Sequence, residues 1–115
     1  MSTSYRFCIP ILDYPVLVSF ADDYKEGKTE IDKFVGTPQE EEAEPVAFVW
    51  SDKGKSGVWL GANPERWTVA HEATHIVQDA FDYIEAKMGK DNELDAHFIE
   101  FVTKKIFERL DKHLT

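Results

Sequence analysis

Short apolar runs in the first half of the chain predict β-strands. Residues 5–12 and 16–21 are rich in aromatic and β-branched side chains, and a short stretch with turn chemistry separates them. Residues 46–50 and 57–60 flank a polar segment that contains glycine, which predicts a β-hairpin over residues 46–60. The first half of the chain therefore contains four predicted strands.

Helical periodicity dominates the second half. Apolar side chains recur at helical spacing over residues 64–88. Asn63 is placed to cap this helix, Pro64 suits its first turn, and Gly89 ends it. A second helix, with a broad apolar side, is predicted over residues 91–113. The side chains that share one arc of the first helix, and so form its predicted core face, are Val69, Ala70, Ala73, Ile76, Val77, Ala80, Phe81, Ile84 and Met88.

The charged segment between the strands, residues 22–45, predicts a surface loop with at most a short element around residues 31–35. Its acidic run, residues 40–45, is interpreted as a solvated surface, with docking of a partner as the alternative. Strands followed by two long helices predict a single α+β domain over residues 1–115. In this fold, a small antiparallel sheet carries both long helices on one face.

Composition and charge limit the classes of partner. Hydrophobic residues make up 43% of the chain, enough for a core, and 13 basic against 22 acidic residues give a net charge of -9. Such a surface repels nucleic acid and anionic lipid, and no apolar stretch is long enough to span a membrane. The single cysteine, Cys8, lies in an apolar run, which predicts a buried thiol without a disulfide. We therefore expect a soluble, cytoplasmic protein that binds neither nucleic acid nor membranes directly.

The first long helix contains an HExxH pattern formed by His71, Glu72 and His75. Two histidines four residues apart project from the same side of a helix, so both imidazoles can bind one tetrahedral zinc ion. Glu72 points partly aside and is free to act as general base toward water. Both histidines lie opposite the predicted core face, which favours a metal site over a pair of buried structural histidines. A solvated helix face without a metal is the other alternative.

A catalytic zinc ion needs a third protein ligand and an open position for water. Glu93 is the leading candidate, because it lies 18 residues after His75, where an antiparallel return of the chain would bring it level with the metal. His97, Asp79 and Asp95 are the alternatives. Asp79, one helical turn after His75, and His97 are also candidates to support the ligands from outside the coordination sphere.

The segment from His71 to Asp79 resembles the active-site helix of zincin metallopeptidases. The Asn92-Glu93 pair before a helix resembles the glutamate-bearing helix of the gluzincin branch. The closest likeness is to small HExxH proteins encoded by phages and prophages, in which a β-hairpin leads into the HExxH helix and a Glu-x-x-Ala-Tyr segment opens the last helix. Here His97 stands where tyrosine is common. The resemblance spans residues 46–108.

The resemblance implies a zinc ion held by His71, His75 and Glu93, with Glu72 as general base. It also implies a zinc-dependent metallopeptidase that hydrolyses a protein or peptide substrate. In zincins, the strand before the active-site helix commonly aligns an extended peptide, so either strand of the predicted hairpin is a candidate edge for the substrate.

A binding module is the alternative function. In a chain of 115 residues we do not expect the second subdomain that encloses the substrate cleft of larger zincins. A metal-stabilised, inactive zincin fold would instead present its acidic surface to a host or partner protein.

Overall fold

The computed structural model describes residues 4–38, 45–84 and 92–114, with the side chains of all of these except Asn92 and Glu93. Three helices and four strands follow one another in the order β1 (Ser4–Ile9), β2 (Tyr14–Ser19), α1 (Tyr24–Val35), β3 (Phe48–Asp52), β4 (Lys55–Trp59), α2 (Arg66–Tyr83) and α3 (Asn92–Leu114). The α+β class is confirmed, and so are the four strands and the two long helices.

The strands form one sheet in the order β1-β2-β4-β3. β1 pairs with β2, and β3 with β4, in antiparallel hairpins, whereas β2 and β4 run parallel. The prediction of an antiparallel sheet is therefore wrong at its centre. Parallel neighbours need a crossover connection, and the chain between β2 and β3 supplies one. The crossover leaves β3 at one edge of the sheet.

The crossover contains α1, where the sequence predicts a loop, and this prediction is wrong. The Asp23 side chain accepts a hydrogen bond from the Lys25 backbone N–H at the start of α1, and Gly36 ends the helix in the left-handed conformation. The helix buries Ile31 and Val35 against the sheet. Its buried positions, Tyr24, Gly27, Ile31 and Val35, recur at helical spacing, so the sequence carries a helical pattern here that the loop prediction overlooked. The acidic run from residue 40 lies outside the described residues, apart from Pro45.

Side chains of the central strands alternate between two cores. Val16, Val18 and Val58 face α2 and α3, whereas Leu17 and Trp59 face α1. Both long helices therefore lie on one face of the sheet, as predicted, and α1 covers the opposite face.

The predicted start of the HExxH helix is two residues early. The helix begins at Arg66, so Asn63 and Pro64 precede it. Glu65 stands at the cap position, where its side chain accepts a hydrogen bond from the Trp67 indole but none from a backbone N–H of the first turn. Its predicted end at Gly89 lies outside the described residues, as does Met88. Of the other predicted core residues only Ala70 and Ile84 are exposed; the buried ones are Val69, Ala73, Ile76, Val77, Ala80 and Phe81.

Cys8 is exposed, so the prediction of a buried thiol is wrong. Strand alternation turns Cys8 away from the α2 and α3 side, to which Phe7 and Ile9 belong. On the other side, α1 packs mainly against β2, β3 and β4 and leaves Cys8 accessible to solvent. Within the described ranges, no helix combines the length and apolar character needed to cross a membrane.

The contact between α1 and the sheet predicts the effect of substituting Gly27. A Cβ at this position would lie 2.7 Å from Trp59 Cγ, and the Trp59 ring is held by a 2.8 Å hydrogen bond from Nε1 to the Ala21 carbonyl oxygen. We expect Gly27→Ala to lower the free energy of unfolding by about 1–3 kcal/mol in urea denaturation, despite the better helix propensity of alanine. Thr29→Ala, at an exposed position of the same helix, is the control. A Gly27→Ala protein as stable as the wild type would contradict the tight packing.

Candidate metal centre

His71 and His75 lie on the exposed side of α2, and 62% of the His71 side chain is accessible. Their Nε2 atoms face each other at 3.2 Å, and their ring centroids are 4.7 Å apart. Two nitrogens bound to one tetrahedral zinc ion at the usual bond length are about 3.3 Å apart. The separation of the two Nε2 atoms therefore matches that of two ligands of one zinc ion. A hydrogen bond between the two rings would give the same distance, and metal content separates the two interpretations.

A hydrogen bond between His75 and Gln78 favours the form of the His75 ring that can bind a metal ion. His75 Nδ1 lies 3.2 Å from the side-chain oxygen of Gln78, Oε1. A neutral ring that donates from Nδ1 carries its lone pair on Nε2, the atom that faces His71. Gln78 was not predicted as a partner of His75, although its position three residues after His75 on the same helix is a usable signal.

Glu72 lies at the boundary between the buried and exposed sides of α2. Only 8% of the residue is accessible, and Oε1 lies 3.9 Å from His71 Nε2. Burial raises the pKa of the Glu72 carboxyl above its ordinary value, while the two neighbouring histidines act in the opposite direction. Glu72 is thus a proton acceptor next to the imidazole pair, in a partly desolvated position.

A cavity of about 360 Å³ opens between α2 and the edge strand β3. Val49 lines it from β3, and Glu72, His75 and Asp79 line it from α2. The cavity therefore brings together one candidate ligand, the candidate general base and a second carboxylate beside the only strand edge that borders α2 in the described sheet.

Asp79 is tied to the sheet by a chain of hydroxyl groups. Ser51 Oγ donates to Asp79 Oδ2 at 2.6 Å and lies 2.6 Å from Ser56 Oγ, which is 2.7 Å from Tyr14 Oη. Burial raises the pKa of the Tyr14 phenol, so this hydroxyl stays protonated and can donate. The structure thus places Asp79 in the His75 cavity, with Ser51 as its hydrogen-bond donor. The sequence offers no signal for this chain of contacts, because it depends on strand register.

The other predicted site residues lie on α3. The backbone of Glu93 is in the first turn of α3, and its side chain lies outside the described residues. His97, one turn later, is exposed, whereas Asp95 is buried. Among the described side chains, which do not include that of Glu93, no three histidine, cysteine or acidic residues are grouped to hold a metal. The described part of the site therefore consists of two imidazoles, His71 and His75, and two carboxylates, Glu72 and Asp79.

Comparisons with known proteins identify no relative of this chain. No family model matches the chain. No curated protein and no solved structure matches it either. The interpretation of the site therefore rests on its own residues.

The hydroxyl chain predicts how Ser51 contributes to stability. We expect Ser51→Ala to lower the free energy of unfolding by about 1–3 kcal/mol, because Asp79 loses its donor and Ser56 loses a partner. Ser51→Thr keeps the hydroxyl in a strand and should retain most of the stability. Urea denaturation compares the three proteins, and equal losses in both variants would show that the hydroxyl is not the cause.

Proposed function

We propose that the protein is a zinc-dependent metallopeptidase. One observation carries the proposal: two imidazole Nε2 atoms 3.2 Å apart, on the exposed side of a helix, next to a mostly buried carboxylate. A neutral imidazole is a preferred zinc ligand, and a carboxylate beside two ligating histidines is placed to serve as general base.

His71 and His75 would hold the metal, with Glu93 as the proposed third ligand because it opens the helix that packs against α2. When bound, zinc supplies a Lewis acid and lowers the pKa of water. Glu72 would take the proton from the attacking water and pass it to the leaving amine. Its partly desolvated carboxyl favours the protonated form between these two transfers.

The edge strand supports a peptide as substrate. β4 is paired on both sides, by β2 and β3, so within the described residues β3 is the strand of the predicted hairpin with an unpaired edge. Val49 of β3 lines the cavity that contains Glu72 and His75. An extended peptide added to β3 through backbone hydrogen bonds would therefore pass the proposed zinc ligands.

Metal content tests the ligand set. We expect about one zinc ion per chain in the wild type, measured by mass spectrometry of protein purified without chelator, and loss of this zinc in His71→Ala/His75→Ala. Glu93→Gln should weaken zinc binding by at least about 10- to 100-fold, the loss typical of removing a partner just outside the coordination sphere. His97→Ala tests the alternative ligand on the same helix. Glu100→Gln is the control, because it makes the same substitution at an exposed position of α3. Equal zinc content in the wild type and the double histidine variant would contradict the site.

Peptide hydrolysis tests the role of Glu72. Glu72→Gln keeps the shape of the side chain and removes the base, so we expect unchanged zinc content and a loss of cleavage of about 10²–10⁴-fold. The measurement is cleavage of a peptide library followed by mass spectrometry, again with Glu100→Gln as control. Full activity of Glu72→Gln would contradict the mechanism. A zinc-loaded wild type that cleaves no peptide would favour the acidic binding module instead.

A further inference from the structure

A second cavity, of about 480 Å³, lies on the opposite face of the sheet from the histidines. It forms where the second half of α1 passes over β1, β2 and β4. Its polar and aromatic lining consists of Ser4, Arg6, Glu30, Lys33, Phe34 and Lys55. The cavity thus combines three cationic side chains with one carboxylate, in a chain whose net charge is -9.

Two of the cations are held by an aromatic ring. The Arg6 guanidinium carbon lies 5.1 Å from the centroid of the Phe34 ring, and Lys55 Nζ lies 5.5 Å from the same centroid. Both distances are within the range of cation–π attraction. Such contacts position a cation without using its N–H groups, and no acceptor among the described residues takes a hydrogen bond from Arg6 or Lys55, so both can donate to a ligand.

The described carboxylates do not neutralise these cations. Neither Arg6, Lys33 nor Lys55 forms an ion pair with any acidic side chain in the described part of the chain. The one carboxylate in the cavity, Glu30, accepts hydrogen bonds from the Ser4 hydroxyl and, at 3.0 Å, from the Ser19 hydroxyl.

Stabilisation of the C-terminal end of a helix explains the position of only one of the three cations. Lys33 lies in the last turn of α1, where a positive charge stabilises the helix dipole. Arg6 and Lys55 come from β1 and β4, far apart in sequence, and this role does not apply to them. Their convergence with Lys33 on one cavity is a property of the tertiary fold.

We propose that this cavity binds a small ligand with a multiply charged phosphoryl group. Three positive charges against one carboxylate match an anion of two or more charges better than a single carboxylate. The planar fork of Arg6 suits bidentate recognition of phosphoryl oxygens, and the two lysines add point charges. Because the sheet separates this cavity from α2, the proposal is independent of the zinc site.

Titration of the ¹⁵N-labelled protein, as purified, with inorganic pyrophosphate tests the proposal by NMR. We expect saturable amide shifts in β1, in the C-terminal half of α1 and around Lys55. Arg6→Gln and Lys55→Gln should each weaken binding about tenfold, the loss expected for one charged hydrogen bond. Lys25→Gln removes the same charge from an exposed position of α1 outside the cavity and should bind like the wild type.

Three results would overturn the proposal. These are shifts that do not saturate, shifts confined to α2 around His71 and His75, and equal weakening by Lys25→Gln and Lys55→Gln. Saturable binding of a hexaglutamate peptide without binding of pyrophosphate would assign the cavity to an acidic peptide instead. If Arg6→Gln fails to fold, as judged by its amide spectrum, Lys55→Gln and Lys33→Gln decide the question. Failure of the zinc site would leave the expected shifts in β1 and α1 unchanged.

Discussion

Burial of the apolar side of α2 against the sheet and α3 fixes the rotation of that helix about its axis, and the geometry of the site follows from this rotation. With Ala73, Ile76 and Val77 in the core, helical spacing turns His71 and His75 toward solvent and leaves Glu72 at the boundary. The two imidazoles are accessible to a ligand, whereas the carboxylate between them is partly withdrawn from water. This difference in environment gives neighbouring side chains on one helix different chemical roles.

The parallel pairing of β2 with β4 determines what borders the site. Because α1 carries the chain across the sheet, β4 takes the inner position and β3 becomes the edge next to α2. The hydroxyl chain through Ser51 and Ser56 then connects Asp79 to both strands of the hairpin. The same crossover covers the second face of the sheet, where Arg6 and Lys55 meet Phe34. The crossover connection that contains α1 therefore determines which elements surround both cavities.

Patterns of apolar and polar residues within short segments correctly predicted several elements of the fold. The hairpin, both long helices and the outward placement of His71 and His75 follow from periodicity within a few turns or strand residues. The crossover helix α1 also has its buried residues at helical spacing, but the high charge of the segment led to a loop prediction. The parallel pairing of β2 with β4 could not be predicted in this way, because it depends on contacts between residues far apart in the sequence, as where Ile31 packs over Gly57. Cys8 shows the same limit: its apolar neighbours suggest burial, but the extent of α1 decides its exposure. The contact of Ser51 with Asp79 likewise requires the register of two strands.

X-ray absorption spectroscopy at the zinc edge, on the full chain loaded with one equivalent of zinc, tests the central claim most directly. The account predicts a first shell of nitrogen and oxygen atoms at about 2.0–2.1 Å, with outer-shell scattering from two imidazole rings. A spectrum without imidazole scattering, or zinc that remains in solution, would contradict the claim that His71 and His75 form a metal centre.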